Sequence, residues 1–299
     1  MSKNLVEFQD HLKNSKRIVA LVGAGLSTSS GLPIFRGSQG LWKNFNMIDL
    51  ATPDAFYIDP GLVWQFYSWR RINALKAKPN KGHLSLARLS KLKNIDFITI
   101  TQNTDGLLTR AGHRKDKLYE IHGSLFDLRC TSFLCNFVDH DNFKHPLTAA
   151  LSDTEFEYDR SRKRNLEEDT DNLSPQIAPV KQILDKDLPQ CPVCKDGSLL
   201  RPGVVWFGES LSLTTLDKID NFIELDEGVD LIMVIGTSGT VYPANSYVDR
   251  VRLKGGKVAI FNTDIEPEVL EGNVKDTWGF KGDAAELLPM ALSPLIGEI

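Results

Sequence analysis

Six short, mostly apolar runs, at residues 18–22, 97–101, 118–121, 204–207, 231–235 and 258–261, recur along the chain with helical patterns between many of them, at 83–92, 216–225 and 244–253. Most of these runs lack regular polar alternation, as expected of strands covered on both faces. Strands alternating with helices build a parallel sheet layered between helices. The fold class is therefore α/β: a doubly wound, parallel, Rossmann-like sheet. Two stretches break the rhythm. Residues 49–78 read as a helical module, after a loop that contains Trp42 and Phe45, and residues 128–200 read as a second module. Residues 1–48 with 79–127 and 201–299 are left to form the sheet domain, with both modules inserted and a ligand cleft between.

The second module holds all four cysteines, Cys130, Cys135, Cys191 and Cys194, spaced C-x4-C and C-x2-C. In a chain without a secretory apolar segment this pattern points to one structural zinc in a closed four-thiolate site, which holds structure and does no chemistry. A redox pair or unrelated buried thiols are the alternatives. Between the pairs, residues 152–174 mix acidic and basic side chains with few apolar ones, so they are expected to form a solvated, mobile insertion. A net charge of −4 and a pI near 5.9 argue against a nucleic-acid surface. No run approaches the length of a membrane span. Residues 1–17 carry Glu7 and Asp10 and give no clear presequence. A cytoplasmic and/or nuclear location is expected, with mitochondrial import left open.

The run at 18–22 leads directly into Gly23-Ala24-Gly25-Leu26-Ser27, and the stretch continues to Pro33-Ile34-Phe35-Arg36-Gly37. A strand ending in a glycine turn can bring its backbone close to a pyrophosphate, with the next N–H groups aimed at it. The position three beyond Gly25 is Thr28, however, and no acid ends a second strand about 20 residues on, as a usual dinucleotide unit requires. A tight turn without ligand is the alternative. The run at 97–101 leads into Gln102-Asn103-Thr104-Asp105, and that at 118–121 into His122-Gly123. Polar groups at the carboxyl ends of parallel strands are where an open α/β sheet takes its ligand. A histidine there can exchange a proton near neutral pH, or serve structure alone.

Taken in order, Gly-Ala-Gly-x-Ser with Pro-x-Phe-Arg, then Thr-Gln-Asn-x-Asp, Ile-His-Gly and two cysteine pairs closely resemble the sirtuins. Three later stretches agree: Arg201 to Glu209, Gly236-Thr237-Ser238 and Asn262-Thr263-Asp264. The resemblance spans roughly residues 15 to 290. It implies an NAD-consuming protein lysine deacylase that passes the acyl group to ADP-ribose and releases nicotinamide. It further implies that Gly23, Ala24, Gly25 and Ser27 hold the dinucleotide phosphates, that Phe35 and Arg36 lie over the nicotinamide end, and that Trp42 belongs to the cofactor site. Gln102, Asn103 and Asp105 would position ribose and nicotinamide, Asn103 with a catalytic part. Gly236, Thr237, Ser238, Asn262, Thr263, Asp264 and Ala284 would complete the cofactor site. His122 would be the general base. Val205, Trp206 and Phe207 would pair with substrate backbone by strand addition. Partners would be acyl-lysine proteins, and family members are often monomers.

Within the 49–78 module, Tyr67 and Arg70 stand three apart and share a helix face, where a phenol and a guanidinium can reach one ligand. An amphipathic helix with a buried tyrosine explains the pattern equally well. This Tyr-x-x-Arg resembles the class III sirtuins, which remove succinyl, malonyl and glutaryl groups, so an acidic acyl preference is expected. A deacetylase, a de-hydroxyacylase and a mono-ADP-ribosyltransferase are the enzymatic alternatives, and an ADP-ribose-sensing adaptor the non-catalytic one. Ile34, Thr104, Gly203 and the four-residue spacing of the first cysteine pair depart from the family pattern.

Overall fold

The computed structural model describes residues 3–33, 41–155, 180–225, 227–237 and 244–299. Among them the helices are α1 (Lys3–Asn14), α2 (Met47–Leu50), α3 (Pro53–Ile58), α4 (Pro60–Lys76), α5 (Lys81–Leu89), α6 (Leu107–Arg110), α7 (Leu213–Glu224), α8 (Ala244–Leu253), α9 (Pro267–Leu270) and α10 (Ala284–Ile296). The strands are β1 (Arg17–Val22), β2 (Leu41–Trp42), β3 (Phe45–Asn46), β4 (Asp96–Thr101), β5 (Leu118–Glu120), β6 (Gly123–Cys130), β7 (Val138–Asp139), β8 (Leu200–Val204), β9 (Leu231–Ile235), β10 (Lys257–Asn262) and β11 (Thr277–Lys281). Backbone packing divides the chain into two units. One comprises Met1–Ile34, Ala77–Gly123 and Ser210–Ile299, the other Phe35–Lys76 and Ser124–Glu209.

The first unit is built on a six-stranded sheet in the order β11-β10-β9-β1-β4-β5, with parallel pairing throughout. Successive side chains of a strand face opposite ways, and β1 shows the result. Ile18, Ala20 and Val22 join Leu5, Phe8 and Leu12 of α1, Leu86 and Leu89 of α5, and Leu288 and Leu292 of α10. Val19 and Leu21 face the other core, with Ile219 and Ile223 of α7 and Tyr247 and Val251 of α8. Each fully buried aliphatic side chain contributes about 1.5–3 kcal/mol. Continuous apolarity along β1 therefore supports two cores at once. From β1 the chain goes to β4 and β5 on one side, and β9 to β11 lie on the other. The switch point, where an open α/β sheet binds its ligand, is thus at the carboxyl ends of β1, β4 and β9.

The second unit is organised around α4. Pro60 opens the helix, and the Asp59 carboxylate accepts the Leu62 N–H at 2.8 Å. Val63, Trp64, Phe66 and Tyr67 then bury themselves among Trp42, Phe56, Phe126, Leu200 and Trp206. The Trp64 indole donates to the Leu200 carbonyl at 2.9 Å. Arg71, fully buried, donates to the carbonyls of Leu125, Asn142 and Lys144. The unit's sheets are β2-β3 and β7-β6-β8.

The run at 204–207 does not form a strand of the main sheet. Strand β8 ends at Val204, and beyond it the Trp206 N–H is taken by the Glu209 carboxylate at 2.8 Å and the Phe207 N–H by the Ala51 carbonyl at 2.9 Å. Both amides are thus engaged within the chain in this structure. Strands β6 and β11 and helices α1 and α10 were not foreseen. Gly203 approaches β6 so closely that a Cβ would lie 2.4 Å from that of Asp127, so a histidine there would require the backbones to separate. Among the described residues no helix is long and apolar enough to cross a membrane.

Candidate active site

In the first unit the loops after β1 and β9 interlock. The Gly23 N–H bonds the Ile235 carbonyl at 2.9 Å and the Gly25 N–H bonds that of Gly236 at 2.8 Å, while the Gly236 N–H reaches Phe261 on β10. A Cβ on Gly25 would lie 2.7 Å from the Gly236 Cα, and one on Gly23 would lie 2.6 Å from the Thr237 Cβ. Gly236 itself has a φ of 58°, which glycine adopts without strain. These glycines therefore serve the meeting of two loops as well as any approach of a ligand. Residues Ala24–Ser30 form a 3-10 helix that ends at Gly31.

Polar side chains from β1, β4 and β5 gather beside this junction. Ser27, buried, donates to Asp105 Oδ2 at 2.6 Å, and the other Asp105 oxygen accepts the Leu107 N–H at 2.9 Å. With its proton directed at Asp105, the Ser27 hydroxyl has none to offer a phosphate in this arrangement. Asn103 donates to the Gly23 carbonyl at 3.0 Å. Gln102 Oε1 accepts from Thr237 at 2.9 Å, whereas its buried Nε2 has no partner among the described residues. A buried amide donor without a protein partner calls for an explanation, and a bound polar ligand supplies one.

His122 completes this group. Its Nδ1 lies 3.0 Å from the Gln102 carbonyl, and because a carbonyl can only accept, Nδ1 carries the proton. Nε2 then holds a lone pair, with no partner among the described residues. Burial lowers the imidazole pKa from its ordinary 6.5, opposed by the Gln102 carbonyl, so the ring is neutral at pH 7. On β10, Asn262 donates to the Thr237 carbonyl at 3.1 Å, and Thr263 and Asp264 beyond it are exposed. The Ala284 side chain is in the core, in the first turn of α10. Phe35, Arg36, Ser238 and Ile34 lie outside the described residues, as do positions 156–174 of the charged insertion.

In the second unit Tyr67 is 1% exposed, and its hydroxyl accepts the Trp206 indole N–H at 2.9 Å. The Arg70 guanidinium lies 5.4 Å from the centre of the Tyr67 ring and also donates to its hydroxyl. Burial is the main influence on the phenol and raises its pKa, with Arg70 opposing, so it keeps its proton. Trp206 is itself held: Arg201 stacks 3.5 Å from its ring centre and binds Glu209 at 2.5 and 2.8 Å. Trp42, expected in the cofactor site, is buried against Phe66 at 5.6 Å. Val205 is half-buried and Phe207 is 52% exposed.

The four cysteine Sγ atoms lie within 4.8 Å of one another. Cys130 and Cys194 are 3.7 Å apart, and Cys135 and Cys191 are 3.8 Å apart. A tetrahedron with Zn–S bonds of about 2.3 Å has edges of about 3.8 Å. Four thiolates at that spacing fit one structural zinc, and the longer first knuckle does not disturb it.

Asn80 and His83 escaped the sequence reading. Asn80 caps α5, and its N–H donates to His83 Nδ1 at 3.2 Å, which leaves the proton on Nε2, 3.4 Å from Ser27 Oγ. The signal was present: an N-cap residue followed three positions later by a side chain able to accept from it. The Trp206–Tyr67 bond had no such local sign.

Comparison with known proteins agrees with this geometry. Residues 23–243 match the family described as the Sir2 family. An "NAD-dependent protein deacylase" of Candida albicans strain SC5314 is 71% identical over 308 residues, covering 100% of both chains. "NAD-dependent protein deacylase sirtuin-5, mitochondrial" of Canis lupus familiaris is 38% identical over 296 residues, 98% of this chain and 86% of the relative. A crystal structure described as a Sir2 homolog–NAD complex superposes with a TM-score of 0.71 at 35% identity, over 97% of this chain and 93% of the other.

Proposed function

The chain belongs to the Sir2 family and is an NAD-dependent protein lysine deacylase, and we propose that it prefers acidic acyl groups: succinyl, malonyl and glutaryl. NAD, when bound, supplies the ADP-ribose that receives the acyl group and gives up nicotinamide. His122 is the general base in this proposal. Its Nδ1 proton is tied to the Gln102 carbonyl, so Nε2 is free to take a proton from a ribose hydroxyl. Asn103, anchored on the Gly23 carbonyl, and Gln102, through its open amide nitrogen, orient the ribose and nicotinamide. The zinc holds the cysteine knuckles together and takes no part in the reaction.

The acyl preference is carried by one observation. The buried Tyr67 hydroxyl receives hydrogen bonds from Trp206 and Arg70, and no acceptor for its own proton exists among the described residues. A carboxylate at the end of an acyl chain accepts from both the phenol and the guanidinium. Charge-assisted hydrogen bonds of this kind contribute about 1.5–3 kcal/mol. Mass-spectrometric assays of succinyl, malonyl, glutaryl, hydroxyacyl and acetyl peptides with NAD test the reading. Arg70→Met should lower kcat/KM on succinyl-lysine by about ten- to a hundredfold, and on acetyl-lysine by less. Succinyl turnover that survives Arg70→Met rules out the clamp.

On this reading the partners are acyl-lysine proteins, and the chain acts as a monomer that engages neither nucleic acid nor membrane. We place it in the cytoplasm or nucleus, although the canine relative is named as mitochondrial. Fractionation of the native protein decides between these compartments.

A further inference from the structure

We propose that Trp206 is a positioning residue that sets acyl selectivity: its indole N–H fixes the Tyr67 hydroxyl so that the phenol proton faces the end of the acyl chain. The inference rests on the acidic-acyl reading above and deepens it. An indole nitrogen can only donate, and so can a guanidinium. A phenol oxygen bonded to both has its lone pairs engaged, and its single proton must point elsewhere. Trp206 supplies the first of these bonds at 2.9 Å, from a side chain only 3% exposed.

The indole is held in place by what surrounds it. Arg201 stacks on the ring at 3.5 Å and is itself fixed by Glu209 and by the Val204 carbonyl at 3.0 Å. Glu209 also accepts the Trp206 backbone N–H at 2.8 Å, and the Phe56 ring lies 5.3 Å from the indole. The loop after β8 therefore serves to aim one N–H. The Tyr67 proton meets no acceptor among the described residues, and the raised phenol pKa keeps it in place. A carboxylate satisfies that proton together with Arg70. An acetyl group has no terminal acceptor and leaves the buried Tyr67 proton unpaired, which disfavours it.

Trp206→Phe keeps a ring for Arg201 to cover and removes the donor. The ratio of kcat/KM for succinyl-lysine over acetyl-lysine should fall about three- to tenfold, with the change in KM. In a Tyr67→Phe background the same substitution should leave the ratio where Tyr67→Phe alone put it. Replacing Trp206 with benzothienylalanine, which keeps the bicyclic shape and lacks the N–H, should reproduce the fall and covers the case in which Trp206→Phe does not fold. Equal losses on both substrates, or additive losses in the Tyr67→Phe background, would overturn the proposal. A wild-type enzyme that prefers acetyl-lysine defeats the acidic-acyl reading itself. A wild-type succinyl preference that persists unchanged in both Trp206 variants defeats only the role of Trp206.

Discussion

Three histidines, His83 and His113 buried and His122 partly so, show how one residue type is assigned different work by its backbone neighbours. Burial pushes the pKa of His83 and His113 down to about 4, and lowers that of His122 as well. His83 Nδ1 faces an N–H and must accept, whereas Nδ1 of His113 and of His122 faces a carbonyl and must donate. The second nitrogen of His83 lies toward Ser27, and that of His113 accepts from Thr99 at 2.8 Å. Only His122 keeps a lone pair without a partner among the described residues. A general base should titrate accordingly. A lowered pKa means the unprotonated form persists to lower pH, so the acid limb of kcat/KM should have its midpoint below 6.5. His122→Ala should lower kcat/KM by about 10²–10⁴-fold while NAD still binds by calorimetry. A midpoint at or above 6.5 would remove His122 from that role.

At the scale of elements, the strands covered on both faces were the legible ones. Strands β1, β4, β9 and β10 were foreseen to within a residue at most boundaries, because burial on two sides writes a mostly apolar run, interrupted in β4 only by the buried Thr99 and Thr101. β11 was hidden by Gly279 in its middle, where a Cβ would come within 2.9 Å of Val269. The 204–207 run misled because its apolar residues serve a loop: Trp206 fills the core of the second unit, and Phe207 is half exposed. The site was legible as polar loops at strand ends. What local sequence could not encode is which distant glycine Gly25 would meet. Its contacts at 2.7 and 2.8 Å are both with the backbone of Gly236, so no side-chain rotation relieves them. Gly25→Ala should therefore part the ends of β1 and β9, at a cost of about 1–3 kcal/mol. Thermal melts with and without NAD should show a lower Tm and a smaller rise on adding the ligand. An unchanged melt would mean the loops do not depend on this contact.

For the whole molecule, the two units have separate apolar cores, and the cysteines pack with that of the second. Metal binding of this type is folding free energy for the part that holds it. Stripping zinc with a chelator should therefore speed amide exchange in α4, β6 and β8 well before β1, β4 and β9. Exchange that accelerates evenly along the chain would contradict this. Neither unit is one continuous piece of chain, and this has a further consequence at the ribosome. Ile18 of β1 lies beside Leu231 of β9, a strand made only late in synthesis. Until then the central strand of the large sheet has an open edge, and contacts of such sequence separation form slowly. The nascent protein must keep that edge from pairing with other chains throughout most of its translation, so its early vulnerability lies at the strand that ends up most deeply enclosed.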